Sequence, residues 1–404
     1  DSAGSSVSAI TSGELKSGKV CYLLNEKGSK TTWRQNLSGD TIDEVPVLDA
    51  SHGIVYTSLP CTRTYSNEDG KTLEHSYGSD SICTACGAVK APDNTDGVYE
   101  INNATELYWF AGLVNGDSSV CVNGVEQNLS ANARLNADII VNEGDIKGCN
   151  GDNTGNWRTW EPIGNSGGNT YTGTFDGNGH TISGLYLNDS YKNYAGLVGS
   201  LGKGGSVTGV GVINSYISAK NHVGAIAGYD SKAYIAECYS DCAIYASTDS
   251  QSNEAGGICG YAGSDTTIER CYSNSIVSGG LQRTGKICGY ISNGTYSYCY
   301  YTSDTESEKG YGTGAEAYGR GILAATAEEF ASGKICYILN DSGRKTIWRQ
   351  NLTGDYKDSY PVFGSEHSVV YASEPCRTQY SNKRGVTIEH DYSTSMLCKN
   401  CKAH

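Results

Sequence analysis

Four residues recur twice in this chain at a spacing that suits metal chemistry: Cys61, His75, Cys83 and Cys86, then Cys376, His390, Cys398 and Cys401. Three thiolates and an imidazole make a tetrahedral donor set for zinc. The Cys-x-x-Cys turn supplies two ligands from one knuckle, and the distant pair closes the segment. A second arrangement stays open: two disulfides among Cys21, Cys61, Cys83 and Cys86, with His75 exposed and three possible pairings. Neither arrangement is catalytic, because four protein ligands leave no coordination position for a substrate.

Other candidate chemistry is sparse. Asp176 and His180, in Phe175-Asp-Gly-Asn-Gly-His180, are the local candidates for acid–base catalysis, although Asp-Gly and Asn-Gly are turn formers first. Asp138, Glu143 and Asp145 could add charge nearby, but sequence cannot gather them. The chain has no Gly-x-Ser-x-Gly elbow, His-Glu-x-x-His helix or phosphate loop.

The two Cys/His groups belong to a duplicated module. Ser17-Gly-Lys-Val-Cys-Tyr-Leu-Leu-Asn25 returns as Ser332-Gly-Lys-Ile-Cys-Tyr-Ile-Leu-Asn340, and Trp33-Arg-Gln-Asn-Leu37 as Trp348-Arg-Gln-Asn-Leu352. The offset is 315 throughout, and 17 of the 24 residues in 17–40 are identical, so the copies align without a gap. Each opens with a capping-box signal, Thr11 with Glu14 and Thr326 with Glu329. The helix is expected to run through Leu15 (Phe330), Cys21 (Cys336) and Leu24 (Leu339) before Asn25 and Gly28 end it. Cys21 and Cys336 read as buried thiols, and Trp33 and Trp348 as internal anchors.

Between the modules lies a repeat. Ala195-Gly-Leu-Val-Gly199, Val223-Gly-Ala-Ile-Ala-Gly-Tyr229, Ala255-Gly-Gly-Ile-Cys-Gly-Tyr261 and Thr284-Gly-Lys-Ile-Cys-Gly-Tyr290 have closing glycines 29, 32 and 29 residues apart. Ile235-x-x-Cys-Tyr-Ser240, Ile268-x-x-Cys-Tyr-Ser273 and Tyr296-x-x-Cys-Tyr-Tyr301 alternate with them. Short β-forming runs at a period near 30 describe a solenoid, each repeat one coil of short strands. About seven coils at roughly 4.8 Å each make a rod on the order of 35 Å long.

Stacking the repeats sets equivalent residues side by side. Cys238, Cys271 and Cys299 form one column, and Cys259 and Cys288 another; parallel side chains at that spacing suit buried thiols better than bridges. Tyr229, Tyr261 and Tyr290 form one tyrosine ladder; Tyr239, Tyr272 and Tyr300 form a second. Each is either a glycan-binding surface or cross-coil packing that stabilises the rod.

These phrases resemble the GLUG-type repeats of surface proteins from anaerobic, gut-type bacteria and of some secreted-protease stalks. The resemblance covers about residues 97–320 and implies a right-handed parallel β-helix; it implies no activity. The elements Glu74-His-Ser-Tyr77 and Cys83-Thr-Ala-Cys-Gly87 likewise resemble Cys/His modules appended to such proteins, although the second copy has Lys402 where Gly87 stands.

The expected organisation is a disordered lead-in (1–10), a first α+β Cys/His module (11–90), a linker (91–96), a β-helix with an N-terminal helical cap (97–322) and a second module (323–404). The cap is the stretch from Asn103 to Val114, whose apolar residues recur at three and four. With 30 basic against 44 acidic residues and a net charge of −14, the chain has no basic tract suited to nucleic acid or anionic membrane. No apolar run is long enough to span a bilayer. Sixteen cysteines and an abundance of small polar residues point to a secreted or cell-surface location. The chain begins at Asp1 with Met396 as its single methionine, as expected of a processed or excised product. The resulting expectation is a non-catalytic, adhesin-like protein whose partner is a host or plant glycan or another surface protein. The alternative is a glycoside hydrolase or polysaccharide lyase with its site in a β-helix groove.

Overall fold

Threonine caps and left-handed glycines set the entry to each module. The computed structural model describes residues 9–121, 124–165, 168–280, 282–303, 308–314, 321–393 and 397–402. Most of the expected lead-in, and Met396, lie outside them. The chain divides into two compact units, residues 1–90 and 91–404, so the second module belongs to the same unit as the solenoid.

In the first unit, Thr11 caps α1 (Ser12–Lys16) through a reciprocal capping box with Glu14. The single helix expected here is in fact two. Gly18, at φ +87, ends the first turn and starts α2 (Lys19–Leu24). A Cβ at Gly18 would lie 2.6 Å from Leu37 Cδ1, so backbone freedom and space both require glycine. The Asn25 side chain clamps the backbone of Trp33, donating to its carbonyl and accepting from its N–H. His52 pairs with Asp43 at 2.6 Å. Short strands follow: Tyr56–Thr57 pairs antiparallel with Tyr65–Ser66, and Leu59–Pro60 parallel with Thr72–Leu73.

The second unit begins with the solenoid. Its longest face stacks eight parallel strands: Val98–Ile101, Asn132–Leu135, Thr174–Ser183, Ser206–Ala219, Tyr239–Ala246, Tyr272–Ser273, Cys299–Thr302 and Ile322–Ala325. A second face stacks five, Val198–Leu201, Ala227–Asp230, Cys259–Ala262, Cys288–Ile291 and Tyr311–Gly314. The paired small residues Val223–Gly224, Ala255–Gly256 and Thr284–Gly285 make a third. Complete coils therefore number about four, fewer than the seven expected from length, and only the longest face runs on to eight strands. On the others, the early coils are replaced by α3 (Ala104–Asn115) and the long loop around 142–160. The signature glycines are needed because the backbone itself is the neighbour: a Cβ at Gly224 would meet Ala227 O at 2.3 Å.

Stacking in register fills the core with columns of like residues. Ile226, Ile258 and Ile287 form one, Val207, Ile235 and Ile268 another, all fully buried. The helix α3, capped by Asn103, sends Leu107, Phe110, Leu113 and Val114 into this core, with Phe110 meeting Tyr171 edge-on at 6.2 Å. It covers apolar surface that an open first coil would expose.

The last solenoid strand runs straight into Thr326, which caps α4 (Ala327–Ala331); Gly333 again separates it from α5 (Lys334–Leu339). The first module's polar framework is repeated bond for bond. Asn340 clamps Trp348, Gln350 donates to the Phe330 carbonyl as Gln35 does to Leu15, and His367 pairs with Asp358 at 2.7 Å.

Candidate metal centres and tyrosine faces

Each module brings its three cysteines and histidine together. Cys61 leaves the strand Leu59–Pro60 with its N–H on the Leu73 carbonyl, and His75 follows the partner strand, so parallel pairing sets them side by side. The knuckle bridges back through Tyr77 and Cys83, and the Gly87 N–H closes it on the Cys83 carbonyl. The second copy closes the same way through Lys402, whose φ of +62 matches the left-handed Gly87 at +75. A lysine there accepts a strained backbone that glycine adopts freely.

In each cluster, one donor atom per residue lies within 4.8 Å of every other. Cys61 and Cys83 sulfurs are 3.8 Å apart and Cys376 and Cys398 sulfurs 3.7 Å. Cys86 Sγ lies 3.4 Å from His75 Nδ1, and Cys401 Sγ 3.2 Å from His390 Nδ1. Tetrahedral coordination at about 2.3 Å per sulfur sets sulfurs about 3.8 Å apart, whereas a disulfide needs about 2.05 Å. The two clusters can therefore hold a metal ion. All sixteen cysteines are free thiols, so the disulfide alternative among Cys21, Cys61, Cys83 and Cys86 is not formed. Cys21 and Cys336 sit apart, buried on α2 and α5.

The electrostatics divide the sulfurs. Burial disfavours the Cys83 thiolate, but the N–H groups of Ala85 and Cys86 and the His75 ring outweigh it, bringing the thiol down to about 5. At Cys398 the Cys401 N–H leads the same effect, again to about 5. Burial and the neighbouring sulfurs push Cys61 and Cys376 up to about 11. A cation amid the four donors is what would allow all three sulfurs to ionise together.

The two tyrosine ladders have opposite fates. Tyr239, Tyr272 and Tyr300, offered by the sequence as ligand-binding residues, are 6%, 2% and 7% exposed. The second module covers them: Trp348 lies 5.9 Å from Tyr239 and 5.5 Å from Tyr272, while Phe363 packs on Tyr239 and Phe330 on Tyr272. The Tyr272 hydroxyl donates to the Pro361 carbonyl. This ladder is a docking platform and not a ligand surface, because a buried aromatic face gains more from apolar partners than from water.

Tyr229, Tyr261 and Tyr290 remain half-buried, stacked at 5.1 and 4.8 Å. Beside them runs a second row that sequence reading missed: Tyr194, His222, Glu254 and Arg283. His222 stacks on Tyr194 at 5.3 Å and meets Tyr261 edge-on, and Arg283 lies over Tyr290 at 4.7 Å. Glu254, buried, pairs with His222 at 2.8 Å and Arg283 at 2.5 Å. The signal was present, since each of the four immediately precedes a repeat signature, at Ala195, Val223, Ala255 and Thr284, positions paired coil to coil.

Asp176 and His180 are not brought together as an acid–base pair. Asp176 accepts from Arg134 Nε at 3.0 Å and from the Asn178 N–H, forming a turn, while His180 faces Asp138 at 3.4 Å. Asp138 also accepts the Thr181 N–H, and Asp145 accepts the Gly148 N–H, so neither joins a common site. Their hydrogen bonds hold turns of the rod.

The solenoid thiols lie in the core. Cys238, Cys259, Cys271, Cys288 and Cys299 are fully buried, and Cys242 joins them. Burial raises the Cys259, Cys271 and Cys288 thiols well above their usual range and Cys242 to about 12. Cys238 donates to the Ala236 carbonyl and Cys299 to the Ile268 carbonyl, so these two thiols find partners inside the core.

Comparison with known proteins finds partial likenesses. No family model matches the chain. Halomucin of Haloquadratum walsbyi is 31% identical over 166 residues, 41% of this chain and 2% of that protein. A candidate Gly-rich membrane protein of Evansella cellulosilytica is 38% identical over 72 residues, 17% of this chain and 8% of that one. The chain thus spans only a small part of either relative. Among solved structures, a candidate immunoglobulin A1 protease from Bacteroides ovatus superposes with a TM-score of 0.42 at 19% identity, over 72% of this chain and 98% of that one. Among the described residues, no helix is long and apolar enough to cross a membrane.

Proposed function

We propose that this chain is a non-catalytic extracellular surface protein of the GLUG-repeat type. Its solenoid binds an extended glycan along Tyr229, Tyr261 and Tyr290, and zinc holds its two Cys/His modules. The observation that carries the binding reading is the contrast between the ladders: one is sealed by the second module, the other stays half open beside a charged row. Its rings stack face to face, so they offer edges and polar tips at each coil, with His222 and Arg283 alongside. A ligand that repeats a polar unit at roughly the coil spacing of about 4.8 Å matches that row, as an extended chain of sugars does.

The competing hydrolase or lyase reading needs a second carboxylate across the substrate. Glu254 stands beside the row, but it is buried and already held by the Arg283 guanidinium and the His222 ring. Among the described residues, no group of three His, Cys, Asp or Glu side chains beyond the two Cys/His clusters comes close enough together to hold a metal ion, as a calcium-dependent lyase site would require. Zinc is favoured in those clusters because thiolates and imidazole are its preferred donors. The membrane-protein name of one relative supports the surface location.

The test is a panel of soluble host and plant glycans, read for both retention and turnover. Saturable binding that weakens at least tenfold in Tyr261→Ala, roughly 1.4 kcal/mol, with the glycan recovered intact, supports the reading. Turnover that disappears in Glu254→Gln would replace it with the hydrolase.

A further inference from the structure

The second module docks through a defined set of residues, and the first module carries its counterpart of that set, uncovered. On the second copy the docking face is Phe330, Leu339, Trp348, Tyr360 and Phe363, packed with the tyrosine ladder in one apolar cluster. At the 315-residue offset these positions are Leu15, Leu24, Trp33, Val45 and Leu48. All five are apolar. Leu339, Trp348 and Phe363 are 0%, 0% and 5% exposed, whereas Leu24 and Leu48 are 47% and 66% exposed, Val45 is 49% exposed and Trp33 only half-buried. An apolar face of this extent on one small module marks an interaction surface.

The polar contacts of the docked face have counterparts too. Across the second interface Asp341 reaches Arg270 at 3.7 Å and Lys345 reaches Glu237 at 2.7 Å, and the Pro361 carbonyl receives the Tyr272 hydroxyl. The first module keeps an acid, a base and a proline at the same places: Glu26, Lys30 and Pro46. Within the first module Glu26 and Lys30 pair with each other. The rim therefore keeps the charges needed to meet a basic and an acidic residue on a partner.

We propose that this face of the first module is a docking surface for the aromatic flank of another parallel β-helix, seated as the second module seats on Tyr239, Tyr272 and Tyr300. The partner presents a column of stacked aromatic rings, one per coil, bordered by one basic and one acidic side chain. The ladder of a second copy of this chain is already covered by that copy's own second module, so the partner is a different solenoid. The apolar contact supplies the affinity, and the two charges fix the register along the flank.

The experiment gives the full chain such a flank by joining an additional copy of residues 91–325 directly ahead of Thr11, in the relation Ala325 has to Thr326. Tethering raises the effective concentration, so docking needs no unknown partner. Hydroxyl-radical footprinting read by peptide mass spectrometry then follows oxidation at Leu24, Val45 and Leu48. A several-fold fall relative to the unfused chain, reversed by Leu48→Asp while Trp348 and Phe330 stay protected, is the expected result. Unchanged oxidation of these residues in the folded fusion overturns the proposal. Concentration-dependent protection in the unfused chain would overturn it as well, assigning the face to a second copy. Should the long fusion not fold, residues 91–325 followed by 11–90 make the same juncture in a shorter chain, read by the same residues with the same two outcomes.

Discussion

The rings of Tyr272 and Trp348 lie 5.5 Å apart, the first on the solenoid and the second on the module that closes it. Each is almost wholly buried by the other's element, so rod and module share one apolar cluster. Truncating that contact should open it. Trp348→Ala is expected to cost about 3–5 kcal/mol in the stability of residues 91–404, whereas Trp33→Ala, removing a half-exposed ring, should cost clearly less. Denaturant unfolding of the two variants checks the asymmetry; equal losses would contradict it.

A buried acid makes the solenoid sensitive to pH. Asp230 is fully enclosed, and burial raises its carboxyl to about 7 against a weaker pull from Thr266 and the Ala233 N–H, neither close enough to make a well-formed hydrogen bond. Below the unfolded value near 3.8, both states hold the proton. Between there and about 7, the unfolded chain ionises while the folded one does not, so this group's contribution to stability falls as pH rises. Asp230→Asn should flatten that slope and stabilise the solenoid at pH 8, by up to roughly 4 kcal/mol. Urea midpoints measured at pH 5 and pH 8 test it, and an unchanged pH slope would refute the assignment.

The core thiols should be inert. Cys259, Cys271 and Cys288 are buried with their thiols raised well above the usual range, so a thiol reagent should leave them unlabelled until the chain unfolds. Labelling of the folded protein, mapped by peptide mass, checks this. Rapid modification of Cys259 or Cys288 under native conditions would show that the coils open.

Much of this architecture could be read in the chain, because a solenoid repeats its physics with its sequence. Each Gly-rich signature brings backbone against backbone, and each Ile or Cys column follows from coil-to-coil register. The Thr11 and Thr326 capping boxes and the Cys/His clusters depend on local spacing and were equally legible. The break at Gly18 was missed because the apolar positions on both sides keep a helical period, and only the close approach of Leu37 reveals why the chain turns. The fate of the two tyrosine ladders was hidden for a different reason. Both have the same spacing, and what separates them is a module that begins after Ala325 and folds back across one of them. His222, Glu254 and Arg283 differ in type, so they register as a row only when the repeats are aligned one residue earlier.

Ligand substitutions should separate the centres from the neighbouring thiols. His75→Ala and Cys83→Ser should each release the metal of the first module alone, and Cys21→Ser, which lies outside the cluster, should release none. Metal analysis after desalting reads the difference directly. Loss of metal on Cys21→Ser alone would place the wrong sulfur in the site.

The most direct test of the metal-stapled modules is the native mass of the intact chain, compared with its mass after denaturation in acid. Two zinc centres predict a loss of about 130 Da on denaturation, halved in His75→Ala, with a covalent mass that matches sixteen reduced cysteines. A native mass equal to the denatured one, lower than the reduced value by about 2 Da per bridge, would show that disulfides hold these modules and would contradict the account.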